Sequence, residues 1–161
     1  MRSKLLVLDA ALLFLCVSIY LGTGWSLVLF QFPSASSLTV DTYYQYFVPP
    51  VQAATRFFTY MTGLMIALAI VMMIAEWRTG FRWVPIVVLL AVGAATLLTT
   101  WLIFPINAAM AKGITDPALL HPTLNRWMSL NRVRVSLWTV QWLAMMAYFA
   151  IKAYRAPRRA P

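Results

Sequence analysis

The chain has 161 residues, 62% of them hydrophobic and 11% charged, with mean hydropathy +0.77 and a formal net charge of +9. A water-soluble domain is roughly half apolar and about a quarter charged, so this composition excludes a soluble globule and implies a single integral membrane domain over residues 1–161. The positive charge does not mark a nucleic-acid-binding protein. Lys152, Arg155, Arg158 and Arg159 sit near the C-terminus and the other basic residues at predicted helix ends, where membrane orientation and anionic headgroups account for them.

Cys16 is the single cysteine and His121 the single histidine. An intrachain disulfide is excluded, and no ligand set remains for a zinc or haem site of the usual all-protein kind. Neither metal nor cofactor is expected.

The predicted elements make an all-α fold, a four-transmembrane-helix bundle with an extracytoplasmic loop/helix cap. The first span covers 5–31. Arg2 and Lys4 precede it like the basic region of a signal peptide, but the apolar run is too long and lacks a clean small-x-small end, so it reads as a retained helix. Asp9, about one turn inside, is expected at the inner interface, paired with a Lys or Arg. Gly22 and Gly24 permit close helix approach or a local kink. Residues 32–50, punctuated by Pro33, three serines and Pro49-Pro50, predict the cap. Within it the aromatic run DTYYQYF either lies in the headgroup layer or closes the bundle.

The second span is 51–77, with Gln52 and Arg56 one turn apart at its start and Glu76 and Trp77 at its end. At about 1.5 Å per residue, Arg56 and Glu76 are roughly 30 Å apart, one hydrocarbon thickness, so Arg56 belongs near an interface. The basic turn RTGFR (78–82) leads to the third span, 83–104, with Thr99, Thr100 and Trp101 near its far end and Pro105 and Asn107 just beyond. Residues 108–121 form a polar excursion broken by Gly113 and Pro117. The fourth helix, 124–152, starts near Pro122. Only its second half, about 133–152, needs to cross the hydrocarbon.

With four spans, Arg2, Lys4, Arg78, Arg82, Lys152, Arg155, Arg158 and Arg159 fall on one side, and the opposite loops hold Lys112 alone. The positive-inside rule then puts both termini in the cytoplasm, and a bacterial inner membrane is the expected setting.

The fourth helix carries the polar signal. Steps of four and three place Trp127, Asn131, Arg134, Trp138 and then Gln141 with Trp142 on one face, leaving Arg126 and Arg132 off it. Polar groups at membrane depth turn toward protein or water. Alternating spans bring Gln52, Arg56, Asn107, Asn131 and Arg134 to a common depth at the outer end. Tyr43, Tyr44, Tyr46 and His121 are within reach, and Trp101, Trp127 and Trp138 offer flat walls. Such a pocket suits a small planar aromatic ligand with an oxygen that is or becomes anionic, held by arginine and stacked on indole. Each residue also has a structural use: Arg and Trp anchor at lipid phosphates, and Asn107, Asn131 and Gln141 can tie helices together. There is no Gly-rich phosphate loop, carboxylate pair or Ser-His-Asp set. The methionines read as packing, and His121, beside Pro122, is the one side chain of the usual general-base type.

FPIN (104–107), a polar gap and LNRWMSLNRVRVSLW (124–138) follow an order that resembles the anthrone-oxygenase-like family of small four-helix membrane proteins. That family places a Pro-x-Asn after the third helix and then a Trp, an Asn and an Arg opening the last. Pro105, Asn107, Trp127, Asn131 and Arg134 stand in those places. The likeness covers mainly the C-terminal third; VQAATRF (51–57) stands where many members carry a Met-Gln and Asn signature. The resemblance implies a four-helix membrane bundle. From a characterised subset it also implies oxidation of an anthrone to an anthraquinone by dioxygen without metal or flavin. There Arg134 and Arg56 would stabilise the oxyanion, Asn131 and Asn107 orient it, and His121 accept a proton.

The candidate catalytic residues are therefore His121, Arg134 and Asn131, and the candidate binding residues Arg56, Gln52, Asn107, Trp127 and Trp138. The leading expectation is a membrane protein that binds a planar aromatic or quinone-like molecule, as a cofactor-independent monooxygenase of the anthrone type. Its partners would be the lipid bilayer and that ligand. The alternative is a non-catalytic accessory or structural subunit, its polar stripe facing a partner membrane protein.

Overall fold

A computed structural model describes residues 2–155, with side chains from Lys4 onward; Arg158 and Arg159, used above for orientation, lie outside the described residues. These residues are helical, with no strand among them. With no water in hydrocarbon to satisfy backbone groups, an apolar chain of this kind closes its hydrogen bonds within each helix. Helix α1 (Arg2–Ser26) passes through a π-turn (Leu27–Gln31) into α2 (Phe32–Ala35). α3 (Tyr43–Glu76) returns, and α4 (Trp83–Leu98) runs through a second π-turn (Thr99–Ile103) into α5 (Phe104–Ala111). α6 (Pro117–Arg155) completes the bundle. Three stretches, Lys4–Ala35, Tyr43–Glu76 and Trp83–Ala111, are long and apolar enough to cross a membrane.

α1 and α4 each pack against both α3 and α6, so the four long helices form a four-cornered bundle. Trp142 Nε1 donates to Ser18 Oγ, and Trp25 Nε1 to Thr139 Oγ1, each at 3.2 Å, which sets α1 antiparallel to α6. Gly24 governs this pairing: a Cβ there would lie 2.7 Å from Trp138 Cε3 and 2.9 Å from Val135 Cγ2. Only a glycine lets the two backbones come so close. Gly22 meets nothing within 4 Å.

Call the end holding the start of α1 the near end, and the opposite one the far end. The near half has a core of small and flexible side chains, among them Leu13, Val17, Met65, Ala69, Val88 and Met145. At its end Glu76 is buried and fully engaged. Lys152 Nζ lies 2.6 Å from its Oε1, Tyr148 donates to the same oxygen at 2.8 Å, and Thr79 donates to Oε2 at 2.6 Å. The Lys or Arg partner expected for Asp9 is not found among the described residues, where Lys152 pairs with Glu76 instead. Asp9 is buried, but its Oδ2 has no hydrogen-bond partner and it forms no ion pair among the described residues. The far half has a second core, around Phe32, Tyr43, Ile103, Met110, Leu120 and Leu124. Tyr43 fastens it: its hydroxyl donates to the Met110 carbonyl at 3.1 Å and accepts from the Ile114 N–H, fixing the start of α3 against the α5–α6 connection. Gly113, at φ +95°, ends α5 in the left-handed conformation that favours glycine.

The helices outrun their expected limits. α3 begins at Tyr43 rather than near 51, taking residues 43–50 from the supposed cap segment and passing through Pro49 and Pro50. The third helix continues beyond Pro105 to Ala111, and α6 starts at Pro117 and passes Pro122. A proline removes one N–H and crowds the carbonyl one turn back. Close to a helix end, water or headgroups can satisfy that carbonyl, so the helix persists. Pro33 and Pro105 have a further accommodation. Each follows a π-turn, in which the N–H of Phe32 reaches the carbonyl of Leu27 and that of Phe104 the carbonyl of Thr99. Such wide turns take up an extra residue within the helix. Pro33, Pro49, Pro50, Pro105, Pro117 and Pro122 all lie in the far half; Pro85, in the first turn of α4, is the near-half exception.

Candidate functional site

Between the two cores the helices surround a partly open cavity of about 340 Å³. By register its floor is Tyr20, Met65, Val92 and Gln141, and its far mouth includes Gln31, Tyr46, Phe104 and Asn107. Both π-turns contribute to the wall, through Leu27 and Gln31 on one side and Thr99, Thr100 and Ile103 on the other. π-turns recur at functional sites because they re-aim side chains and loosen the backbone ladder.

α6 supplies the polar face. Arg134, Trp138 and Gln141 line the cavity, with Trp127 nearer the mouth. The Arg134 Cζ sits 4.7 Å from the Trp138 ring centroid, a cation–π arrangement. Its Nε is enclosed without a hydrogen-bond partner, and the guanidinium forms no ion pair among the described residues. Gln141 is 0% exposed, and neither Oε1 nor Nε2 has a partner. Buried amides are nearly always hydrogen-bonded, so an unpartnered one on a cavity wall calls for an explanation.

Aromatic groups complete the walls. The Tyr20 ring meets the edge of Trp138 at 4.8 Å and Phe58 at 4.6 Å, while Phe58 and Trp138 stack at 5.9 Å. Thr62 donates to the Phe58 carbonyl at 2.8 Å; the Tyr20 hydroxyl, 2.6 Å from Thr62 Oγ1 and 3.0 Å from the same carbonyl, donates into that pair. Thr55 and Thr99 likewise commit their protons to carbonyls one turn back. Their oxygens face the cavity as acceptors, whereas Arg134 is the strong donor.

The expected site residues separate into three groups. Arg134, Asn107, Trp127 and Trp138 line the one cavity. Gln52 and Arg56 are exposed and line a neighbouring groove between α3 and α5, which shares Phe47, Val51, Thr55, Phe104 and Asn107 with the cavity. The reason is angular: Val51, Thr55, Phe58 and Thr62 follow the helical period into the cavity, and a residue one position on is turned by about 100°. Asn131 lines neither hollow: it is fully buried, its Nδ2 donating to the Trp127 backbone carbonyl at 2.8 Å and its Oδ1 without a partner. His121 is exposed near the start of α6 and lines neither hollow. Trp101, expected as a wall, is 72% exposed.

Asn107 and Trp127 are joined directly: the indole Nε1 donates to Asn107 Oδ1 at 2.8 Å, tying α5 to α6 at the mouth. Phe47 meets the Trp127 edge at 4.7 Å and Phe32 at 5.8 Å, so this indole is held on three sides. Tyr20, Phe58, Thr62 and Gln141 belong to the site although the sequence reading did not place them there. For Gln141 the signal was its position on the polar stripe, and for Tyr20 a lone phenol in the middle of an apolar span. Among the described residues no group of three or more His, Cys, Asp or Glu could hold a metal. In comparison with known proteins, no family model, no curated protein and no solved structure matches this chain.

Proposed function

We propose that this chain crosses the membrane four times, with the far end outward and both termini cytoplasmic, and that its cavity binds a small planar aromatic or quinone-like molecule carrying an anionic oxygen. Support for the fourth crossing comes from α6, whose inward face is buried from Leu120 to Tyr148 alongside the three apolar stretches. Its Lys152 and Arg155 stand at the same end as Lys4, Arg78 and Arg82. The ligand reading rests on one observation, an arginine that faces an aromatic-walled cavity with no acid beside it. A guanidinium stays charged in a protein, and in low dielectric its attraction for an anionic oxygen is strong. Trp138, Tyr20 and Phe58 offer the flat apolar surface that a ring system needs. The polar stripe is turned into this chain's own interior, which favours a ligand over an accessory subunit reading the stripe against a partner helix.

On an anthrone, such a site would favour loss of the ring proton by stabilising the oxyanion. The electron-rich anion can then give electrons to dioxygen, ending as the quinone with water released. The test is oxygen uptake by the purified protein with an anthrone, alongside equilibrium binding of the corresponding anthraquinone. The expected result is saturable binding and uptake, both lost in Arg134→Ala. Binding without uptake would leave a carrier or sensor; absence of both would end the reading.

A further inference from the structure

The ligand-binding reading leaves Gln141 unexplained, and the inference drawn here rests on that reading. Arg134 and Gln141 are two turns apart on α6, about 10 Å of rise, with Trp138 between them on the same face. All three line the cavity. The Arg134 Nε is buried with no partner, and so are the acceptor and the donor of the Gln141 amide. Tyr20, also on the floor, has its proton committed to Phe58 and Thr62, and Met65 and Val92 are apolar, so nothing at that depth engages the amide.

We propose that Gln141 is a second binding station. The cavity then takes a rigid planar ring system with polar oxygens at both ends, one meeting Arg134 and the other the Gln141 amide, its faces against Trp138. A single-headed amphiphile, such as a fatty acid, would satisfy Arg134 but set a methyl end against a buried, unpartnered amide. That loses the hydrogen bonds the amide could make. Selectivity for two-ended ligands follows, because a site built to hydrogen-bond rejects the analogue that cannot.

The experiment is isothermal titration calorimetry in lipid nanodiscs with two anionic ring probes of similar size. 2-Hydroxy-1,4-naphthoquinone carries oxygens at both ends; 2-naphthoate carries them at one. The variants are Gln141→Leu and Arg134→Met, each checked by thermal unfolding, and removing an unpartnered amide should not harm folding. Gln141→Leu is expected to weaken the quinone by about tenfold and 2-naphthoate by less than about twofold, whereas Arg134→Met weakens both. If Gln141→Leu changes the two probes alike, or neither, while Arg134→Met weakens both, the second station is refuted and the binding reading stands. If the unmodified protein binds neither probe, both fall.

Discussion

The near end of this bundle and its cavity are made from the same four helices but differ in how they hold one buried polar group each, Glu76 and Gln141; Asp9, also buried at the near end, keeps an unpartnered Oδ2. At the near end Glu76 is enclosed, yet each carboxylate oxygen accepts from a side chain, with Lys152, Tyr148 and Thr79 as donors. On the cavity wall Gln141 is enclosed as completely and has no partner, and the Arg134 Nε is buried without one too. The backbone differs in parallel. Near-half helices run without interruption beyond Pro85, while the far half carries six prolines and both π-turns. A polar group with its partners in place joins helices. One without partners, on the wall of a cavity, is what the proposed ligand would engage.

Substitutions should separate the halves by sign as well as size. The largest loss is expected for Glu76→Ala, which strips three donors of their acceptor. Because Lys152 can turn outward, the cost is about 2–3 kcal/mol, less than for a fully enclosed pair. Thermal unfolding in detergent would show it, and 2-naphthoate binding should be retained. Gly24→Ala comes next. Its new methyl meets the Trp138 ring at 2.7 Å, so overpacking should cost about 1–2 kcal/mol and shift Trp138 enough to weaken binding as well. Gln141→Leu should move the other way, raising the stability of the ligand-free protein by about 1 kcal/mol, because an unsatisfied amide is replaced by an apolar group of similar size. A fall on that substitution would mean that Gln141 is a structural tie after all. His121→Ala, in contact with neither hollow, should change stability by no more than about 0.5 kcal/mol and leave binding unaltered.

Much of this division was legible in the sequence, and its limits have physical causes. Composition and apolar runs predict four membrane helices, because hydrocarbon admits few alternatives to a helix, and three of the stretches are long and apolar enough to cross. The four-and-three spacing on α6 correctly sets Trp138, Arg134 and Gln141 on one inward face. Depth was the weaker guide. Arg56 and Asn131 share a level with Arg134, yet one is rotated into the next groove and the other is buried with its amide on the Trp127 carbonyl, a matter of angle that depth does not encode. The prolines misled for another reason. They read as breaks, but near helix ends and behind π-turns the chain accommodates them and stays helical. The cavity itself, made jointly by α1, α3, α4 and α6, has no signature in any one segment.

The most direct test of the cavity as a receptor is calorimetric titration of 2-naphthoate into nanodisc-embedded protein, with and without Arg134→Met. The arrangement predicts saturable binding to the unmodified protein, weakened by about tenfold or more when the guanidinium is removed. Equal affinity in the two proteins, or no binding to a correctly folded unmodified protein, would contradict it.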